Sequence, residues 1–287
     1  MRIIDARKIS YAFSGILVLA SFLAVAVWGL KLGIDFTGGT LMEVEYKTSR
    51  PAVNLPEITI QPVGERGLIL RMPAIGEQEH QALLDELRSY GDLDEKQFTS
   101  IGPTIGQELK RNSLYAIILV MLMIALYIAW AFREVSKPIS SWKYGLAALV
   151  ALVHDVSIPI GLFAVLGRFY GVAADTLFVT ALLTILGFSV HDTIVVFDRI
   201  RENLKKSGAR EEFENIVEQS LRQTIGRSIN TSLTVMLVML ALYFLGGAST
   251  KLFALAILVG VFFGTYSSIF IASFLLVSWH KWGLKRA

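Results

Sequence analysis

The chain has 287 residues, of which 54% are hydrophobic and 18% are charged, and its mean hydropathy is +0.56. This composition is too apolar for an ordinary soluble domain, so we predict a membrane protein. The formal net charge of +3 gives no indication of nucleic-acid binding. There is no Cys, which excludes disulfides, thiolate metal sites and a thiol nucleophile.

Six segments are apolar and long enough to cross a bilayer, because about 20 helical residues cover a hydrocarbon core of about 30 Å. The first contains a sequence, Ala24 to Ala26, that resembles a signal-peptide cleavage site. Its apolar run is too long for a signal peptide and predicts an uncleaved anchor. The predicted spans are residues 11–30, 113–132, 145–167, 175–197, 229–245 and 252–278.

Lys and Arg residues are concentrated in alternate loops, which sets the predicted orientation. Both termini, residues 1–10 and 279–287, are expected in the cytoplasm, and residues 31–112 on the opposite side. The short loops on that opposite side offer only Arg168 and Lys251. The cytoplasmic set is Arg2, Arg7, Lys8, Arg133, Lys137, Lys143, Arg199, Arg201, Lys205, Lys206, Arg210, Arg222, Arg227, Lys281, Lys285 and Arg286.

The predicted fold is an α-helical polytopic membrane protein with six transmembrane helices and a small α+β extracytoplasmic domain between the first and second. Residues 76–90 of that domain have a helical pattern with Leu83, Leu84 and Leu87 on one face. We expect this helix to pack on a mixed sheet. The candidate strands, found from alternating or short apolar runs, are residues 41–46, 57–61, 67–71 and 97–101.

The long cytoplasmic connection, residues 198–228, contains a second helical pattern. Its apolar residues recur at helical spacing while four Glu residues face elsewhere, which predicts an amphipathic helix at the membrane interface. We hypothesise that this helix is a strut between the fourth and fifth spans. The residues that recur on this face are Phe213, Ile216, Val217, Leu221 and Thr224.

Ionisable residues within the apolar segments point to function, because a central Asp or Arg costs about 2.5–3.5 kcal/mol to insert and usually faces a bundle interior. Asp155 lies in the third span, Asp192 in the fourth, and Arg227 at the start of the fifth. We predict an Asp192–Arg227 pair that opens when the acid is protonated. A static ion pair, or an Arg227 side chain that extends to the interface, is the alternative.

Polar residues accompany these charges at helical spacings, which predicts two facing polar stripes. A different type of site would use the dipeptides His154-Asp155 and His191-Asp192 as metal ligands, in a metal-ion transporter or an intramembrane hydrolase. Adjacent helical residues point about 100° apart, so each dipeptide offers one ligand, and we predict neither a metal nor a cofactor site. The two stripes are Thr184, Ser189 and Asp192 on the fourth span, and Arg227, Asn230, Thr231 and Thr234 on the fifth.

Small residues occur at every fourth position of the sixth span, which predicts a close-packing seam, either internal or against a partner. The sequence has no GxSxG, HExxH or phosphate-loop motif, so we predict no catalytic residues. The residues of the seam are Gly260, Gly264, Ser268 and Ala272.

Five stretches, distributed over nearly the whole chain, resemble the SecF family of protein-export membrane proteins. The resemblance implies pairing with SecD in a bundle of twelve spans, related to the resistance-nodulation-division transporters. The stretches are GIDFTGGT (residues 33–40), IGPTIGQEL (101–109), SVHDTIVVFDRIREN (189–203), RSINTSLT (227–234) and YSSIFIAS (266–273).

The same resemblance implies a location in the bacterial cytoplasmic (inner) membrane and a role beside the SecYEG channel. There the complex would use protons and the proton-motive force to assist late translocation of the preprotein substrate. Asp192 matches the family's essential intramembrane carboxylate and Arg227 its partner arginine. His191 stands where the family usually has Asn, and with Asp155 it completes the expected proton-transport set.

Overall fold

The chain folds into two units in this computed structural model, which describes residues 2–53, 55–56, 58–133, 139–207 and 211–284. One unit comprises Met1–Lys31, Ala116–Val172 and Leu177–Ala287, and the other comprises Leu32–Tyr115 with Ala173–Thr176. Some residues used in the predictions lie outside the described ranges. These are Glu57 of a predicted strand and the basic residues Lys137, Arg210, Lys285 and Arg286.

Within the described residues, six helices are long and apolar enough to cross a membrane, as predicted, and each extends beyond its predicted segment at one end or at both. A 3-10 turn, Ile3–Ala6, leads into the first, and a π-helical turn, Ser268–Ala272, interrupts the sixth. Two further short helices lie between the first and second spans. The α-helices are α1 Arg7–Trp28, α2 Ile34–Thr37, α3 Glu77–Ser89, α4 Pro103–Ala131, α5 Ser141–Tyr170, α6 Thr176–Ser207, α7 Phe213–Leu245, α8 Ala248–Ser267 and α9 Ser273–Leu284.

The third and sixth spans form the centre of the membrane unit. In their most apolar stretches 56% and 61% of the residues are buried, against 6% in the second span and 11% in the fifth. The second and fifth spans therefore lie at the periphery of this chain. Most of their surface is left for lipid or for another membrane protein.

The amphipathic segment after the fourth span is not a separate helix at the interface. It is continuous with the fifth span as α7, and Phe213, Val217 and Leu221 belong to the apolar core of the membrane unit. The helix continues through Gly226, since a single Gly costs only about 1 kcal/mol relative to Ala and does not end a helix. The apolar face of this segment therefore packs against protein and not against lipid.

The small-residue seam of the sixth span packs internally. A Cβ atom added to Gly260 would lie 2.2 Å from Cδ1 of Ile185 on α6, and one added to Gly264 would lie 3.2 Å from Cβ of Ser189. Both Ser268 and Ala272 are fully buried. The seam therefore lets the sixth span approach α6 closely, as small residues do between membrane helices.

The smaller unit has the predicted α+β architecture, but its sheet is antiparallel and not mixed. Strand β1 pairs with both β3 and β4, and β2 pairs with β3. Helix α3 connects β3 to β4, and its residues Leu83, Leu84 and Leu87 pack on Met42, Val44 and Leu70 of the sheet. The strands are β1 Gly39–Tyr46, β2 Thr59–Val63, β3 Gly67–Met72 and β4 Leu93–Ile101, in the order β2-β3-β1-β4.

Two of the sequence motifs, residues 33–40 and 101–109, contact each other within this unit. Gly38 has a φ of 75°, and a Cβ atom there would lie 2.8 Å from Cα of Pro103. A Cβ atom on Gly106 would lie 2.8 Å from the backbone N of Gly38. Only Gly fits such a backbone conformation and such a close approach.

Candidate functional site

The Asp155 carboxyl is the centre of a buried polar cluster that joins three spans. It is fully buried on α5. Its Oδ1 is 2.8 Å from Nδ1 of His154, and its Oδ2 accepts hydrogen bonds from Ser189 on α6 and from Ser267 at the end of α8, the latter at 2.8 Å. A carboxyl group that accepts several hydrogen bonds can remain buried, because the bonds replace those lost from water.

The π-helical turn in the sixth span follows directly on this cluster. Its first residue, Ser268, lies 2.8 Å (Oγ to Oγ1) from Thr193 on α6 and donates to the Ser189 carbonyl at 3.3 Å. Ser273 closes the wider turn by donating to the Ser268 carbonyl at 3.1 Å. Single π-helical turns within α-helices frequently mark functional sites.

The Asp192 carboxyl lies on the same side of α6 as Ser189, but its hydrogen bonding is incomplete. Its relative exposure is 5%, and Oδ2 is a buried atom without a hydrogen-bond partner among the described residues. Ser228 on α7 is its hydroxyl neighbour, and Ser228 Oγ also has no partner that meets hydrogen-bond geometry. The Asp155 carboxyl is near enough to interact with it electrostatically.

The predicted Asp192–Arg227 pair is not formed in this structure. No ion pair joins them in the described parts of the chain, and Arg227 is exposed on α7. Asn230, Thr231 and Thr234 are also exposed, so the whole predicted stripe of α7 faces away from the rest of the chain. Helical spacing identifies residues that share a face but not the direction of that face, so the roles of Asp192 and Arg227 stay a prediction.

The predicted stripe of α6 is divided between two faces. Ser189 and Asp192 are buried, whereas Thr184 is exposed and its hydroxyl donates to the Thr180 carbonyl at 2.8 Å. Thr184 and Ser189 are five residues apart, which is about 140° around a helix, so they cannot share one face. His191 is exposed, although it is adjacent to Asp192.

The two His-Asp dipeptides do not converge. His154 is buried and bonded to Asp155, while His191 points out from α6. Within the described ranges, no group of three or more His, Cys, Asp or Glu side chains could hold a metal ion. No observation therefore favours the metal-ion transporter or the hydrolase.

The sequence predictions missed most of the hydroxyl groups that complete the site. Ser228 and Ser232 of α7 are buried, and the Ser232 hydroxyl contacts that of Thr265 on α8. Ser232, Ser267 and Thr193 supply polar contacts between the inner spans, whereas Ser228 lies beside Asp192. These hydroxyl groups were difficult to recognise in the sequence, because Ser and Thr are common in membrane helices, where their side chains form hydrogen bonds to the backbone of the same helix.

Comparison with known proteins identifies the family of this chain. Residues 82–282 match the family profile described as "Protein export membrane protein SecD/SecF, C-terminal", and residues 25–49 match the "SecD/SecF GG Motif". The chain belongs to the SecD/SecF family. Together the two matches cover the contact between residues 33–40 and 101–109 and the whole polar cluster around Asp155.

Relatives within the SecD/SecF family span nearly the whole chain. The protein translocase subunit SecF of Thermobaculum terrenum is 45% identical over 97% of this chain and 94% of its own length. SecF of Haemophilus influenzae is 34% identical over 93% of this chain and 82% of its own. The chain is therefore similar to SecF subunits from end to end.

A solved structure has the same fold. The crystal structure of SecDF, a translocon-associated membrane protein from Thermus thermophilus, matches 98% of this chain with a TM-score of 0.84 and 33% sequence identity. This chain spans only 39% of that SecDF chain. SecDF in a super-membrane-facing form matches with a TM-score of 0.73.

Proposed function

We propose that this protein is the SecF subunit of a SecD–SecF complex that assists the SecYEG translocon late in preprotein translocation and is driven by the proton-motive force. Its similarity to translocase subunits along its whole length supports the Sec pathway. The carboxyl group of Asp192 supports the coupling to protons. No covalent chemistry is required of the chain.

The proposed orientation follows from the distribution of basic residues. Both termini lie in the cytoplasm and the small α+β unit lies outside the bacterial inner membrane, because Lys and Arg accumulate in the loops on the cytoplasmic side. Proton flow into the cell would then pass from the side of the α+β unit to the side of the termini. The α+β unit would contact the emerging preprotein.

Asp192 is the observation that carries the proton-coupled part of the proposal. Its unpartnered Oδ2 makes the ionised form costly, because a buried charge needs hydrogen bonds or a counter-ion. A protonated carboxyl removes this cost and can donate to the neighbouring Ser228 hydroxyl. The side chain is therefore suited to take up and release a proton during a working cycle.

Arg227 is proposed as the counter-ion in the other state of the cycle. Ser228 already lies beside Asp192, and the preceding residue of a helix points about 100° away. A rotation of α7 by one such step would bring Arg227 towards Asp192. Movement of one charge through 100 mV releases about 2.3 kcal/mol, which is enough to change a two-state equilibrium by more than tenfold.

SecD is the proposed partner for the polar face of α7. Arg227, Asn230 and Thr231 are exposed in this chain, although they lie in or beside a transmembrane span. Polar side chains in membranes normally face a bundle interior and not lipid. The fused SecDF protein of Thermus thermophilus, of which this chain matches 37%, supports SecD as a partner of the chain.

Export of a secreted reporter tests the proposal in cells that depend on this protein and its SecD. We expect Asp192→Asn and Arg227→Met each to lower the export rate at least tenfold, with normal accumulation and normal copurification of SecD. An ionophore that collapses the proton-motive force should slow the wild type to the rate of Asp192→Asn. The same ionophore should leave the variant unaffected.

Asp198→Asn is the matched control, because Asp198 lies on the same helix but is exposed and paired with Arg201 at 3.4 Å. It should export at the wild-type rate. A wild-type rate for Asp192→Asn would refute the proton-coupled mechanism and leave only a scaffolding role.

A further inference from the structure

The first residue of α6, Thr176, is held by a carboxyl group of the motif at residues 33–40. Asp35 Oδ2 accepts hydrogen bonds from the backbone N–H of Thr176 at 2.7 Å and from its hydroxyl at 2.6 Å. The first N–H groups of a helix have no partner within the helix, and a carboxylate there also faces the positive end of the helix dipole. Asp35 therefore caps α6 from a position 141 residues away in the chain.

The residues before Asp35 pair with the same segment through the backbone. Leu32 forms a parallel β-bridge with Ala174, and the Gly33 N–H donates to the Ala174 carbonyl at 2.7 Å. A Cβ atom on Gly33 would lie 3.1 Å from that carbonyl oxygen, so the lack of a side chain helps the two segments to approach. Residues 32, 33 and 35 together therefore fix residues 174–176.

The same motif is joined to the sheet and to the start of α4. Gly38 is followed directly by β1, and a Cβ atom on Gly106 of α4 would lie 3.2 Å from the Phe36 carbonyl oxygen. Phe36 itself is buried. Residues 32–38 therefore form a linking segment between the sheet, α4 and the start of α6. All of these contacts lie within the α+β unit, which includes Ala173–Thr176.

Helix α6 leaves the α+β unit immediately after the residue that Asp35 caps. Thr176 belongs to that unit, whereas the helix from Leu177 onwards belongs to the membrane unit. The helix is continuous from Thr176 to Ser207 and includes Asp192. Asp192 lies about 24 Å along the helix from Thr176, at about 1.5 Å per residue. An unbroken helix can transmit a displacement of one end to the other, as rigid elements do between distant sites.

We propose that Asp35 is a positioning residue that couples the α+β unit to the protonation of Asp192. In the proposed function, on which this inference rests, Asp192 takes up and releases a proton. A movement of α6 that accompanies this transfer would reach Thr176, and the Asp35 contact would pass it to the linking segment and to β1. Without Asp35, the start of α6 would transmit less of the movement, because fewer contacts would hold it.

A purely structural cap is the alternative, and it makes a different prediction. Such a cap would stabilise α6 equally whether Asp192 is protonated or ionised, so the effects of Asp35→Ala and Asp192→Asn would be additive. A coupling residue makes the two effects non-additive, because the change at Asp192 can no longer reach the α+β unit once Asp35 is removed.

Export of a secreted reporter in cells gives the first test. Asp35→Ala should lower the export rate about fivefold, as for the loss of one helix cap. Asp35→Asn should export at nearly the wild-type rate, because the amide oxygen can still accept both hydrogen bonds. Thr176→Val removes the hydroxyl donor alone and should lower the rate about twofold. This variant decides the result if Asp35→Ala does not accumulate.

Glu79→Ala is the matched control, because Glu79 caps a helix of the same unit that does not continue into the membrane unit. Its Oε2 accepts from the Gly76 N–H at 2.9 Å, at the start of α3. Glu79→Ala should export at the wild-type rate. A loss of export equal to that of Asp35→Ala would show that any weakened cap in the α+β unit has this effect, which would overturn the proposal.

Hydrogen exchange of the chain copurified with SecD separates coupling from stability. We expect Asp192→Asn to change amide exchange in β1, and this change should be at least halved when Asp35→Ala or Thr176→Val is also present. The same change in all backgrounds, or wild-type export by both of these variants, would overturn the proposal. If Asp192→Asn lowers export without changing exchange in β1, this inference alone fails. If it alters neither, the proposed function fails with it.

Discussion

Asp155 and Asp192 are two buried carboxyl groups of the same membrane unit with opposite surroundings. Asp155 has partners on both oxygens, all supplied by this chain. Asp192 has an oxygen without a partner, and the cation predicted to pair with it faces outward. The comparison indicates that the chain completes the first site by itself, whereas the second needs a proton, a moving helix or another subunit.

We propose that this difference corresponds to a difference in role, with Asp155 contributing more to stability and Asp192 more to proton transfer. A fully bonded buried carboxyl holds its neighbours in place, and its removal leaves several of them unsatisfied. An incompletely bonded one contributes less to stability and can change its protonation at lower cost. The four predictions below test this distinction, from the largest expected effect to the smallest.

Asp155→Ala should destabilise the protein most, by about 2–3 kcal/mol, because His154 and the hydroxyls of Ser189 and Ser267 lose their shared hydrogen-bond partner. Asp192→Ala should change the stability much less. Thermal unfolding of both variants in detergent, monitored by intrinsic fluorescence, compares the two losses of stability. Equal losses of stability would show that the two carboxyl groups have the same structural role.

Gly260→Ala should cost about 1–3 kcal/mol, because the new Cβ overlaps with the fully buried Ile185 side chain. In the double variant with Ile185→Ala, the total loss should be smaller than the sum of the two single losses. Gly187→Ala is the control on the facing helix α6, since its Cβ meets nothing within 4 Å. If Gly260→Ala unfolds at the wild-type temperature, the seam is not closely packed.

Substitutions on the outer stripe of α7 should leave the isolated chain intact and weaken its assembly. Asn230→Ala and Thr231→Val should unfold like the wild type, because both side chains are exposed. Each should reduce copurification with SecD several-fold, since one hydrogen bond between membrane helices contributes about 0.6 kcal/mol on average. Lower thermal stability of the isolated chain would instead place these residues inside its own bundle.

Glu43, on β1 of the α+β unit, extends the comparison to a carboxyl group outside the spans. Partial burial, and then repulsion by Glu45, raise the pKa of Glu43 above its ordinary value. The folded state therefore holds this proton to a higher pH than the unfolded state does. As the pH rises through the raised pKa, ionisation of Glu43 lowers the stability of the fold.

Glu43→Gln should accordingly slow amide hydrogen exchange in β1 at neutral pH and have less effect at acidic pH. The effect should stay within about 0.5 kcal/mol, as for most surface substitutions. Glu45→Gln is the control, because it removes ion pairs with Arg66 at 3.3 Å and Lys96 at 3.2 Å and should not slow exchange. Equal slowing in both variants would contradict the assigned cause.

The spans and the α+β unit could be predicted because they depend on local patterns. Runs of apolar residues fixed the six helices, and alternation fixed strands such as residues 41–46, which lie within β1. The direction of the strands could not be predicted, since it depends on how α3 connects β3 to β4. The amphipathic face of Phe213 and Val217 was recognised, but whether it meets lipid or protein is not a local property.

The sequence by itself determined the class of protein, the number of spans and the identity of the buried acids, because hydropathy and charge act residue by residue. Only the tertiary structure decided which of those acids is satisfied. Rotation of each helix about its axis places Ser267 against Asp155 and turns Arg227 away from Asp192. That rotation is set by packing between helices distant in sequence, such as Gly260 against Ile185, and not by the spacing within any one helix.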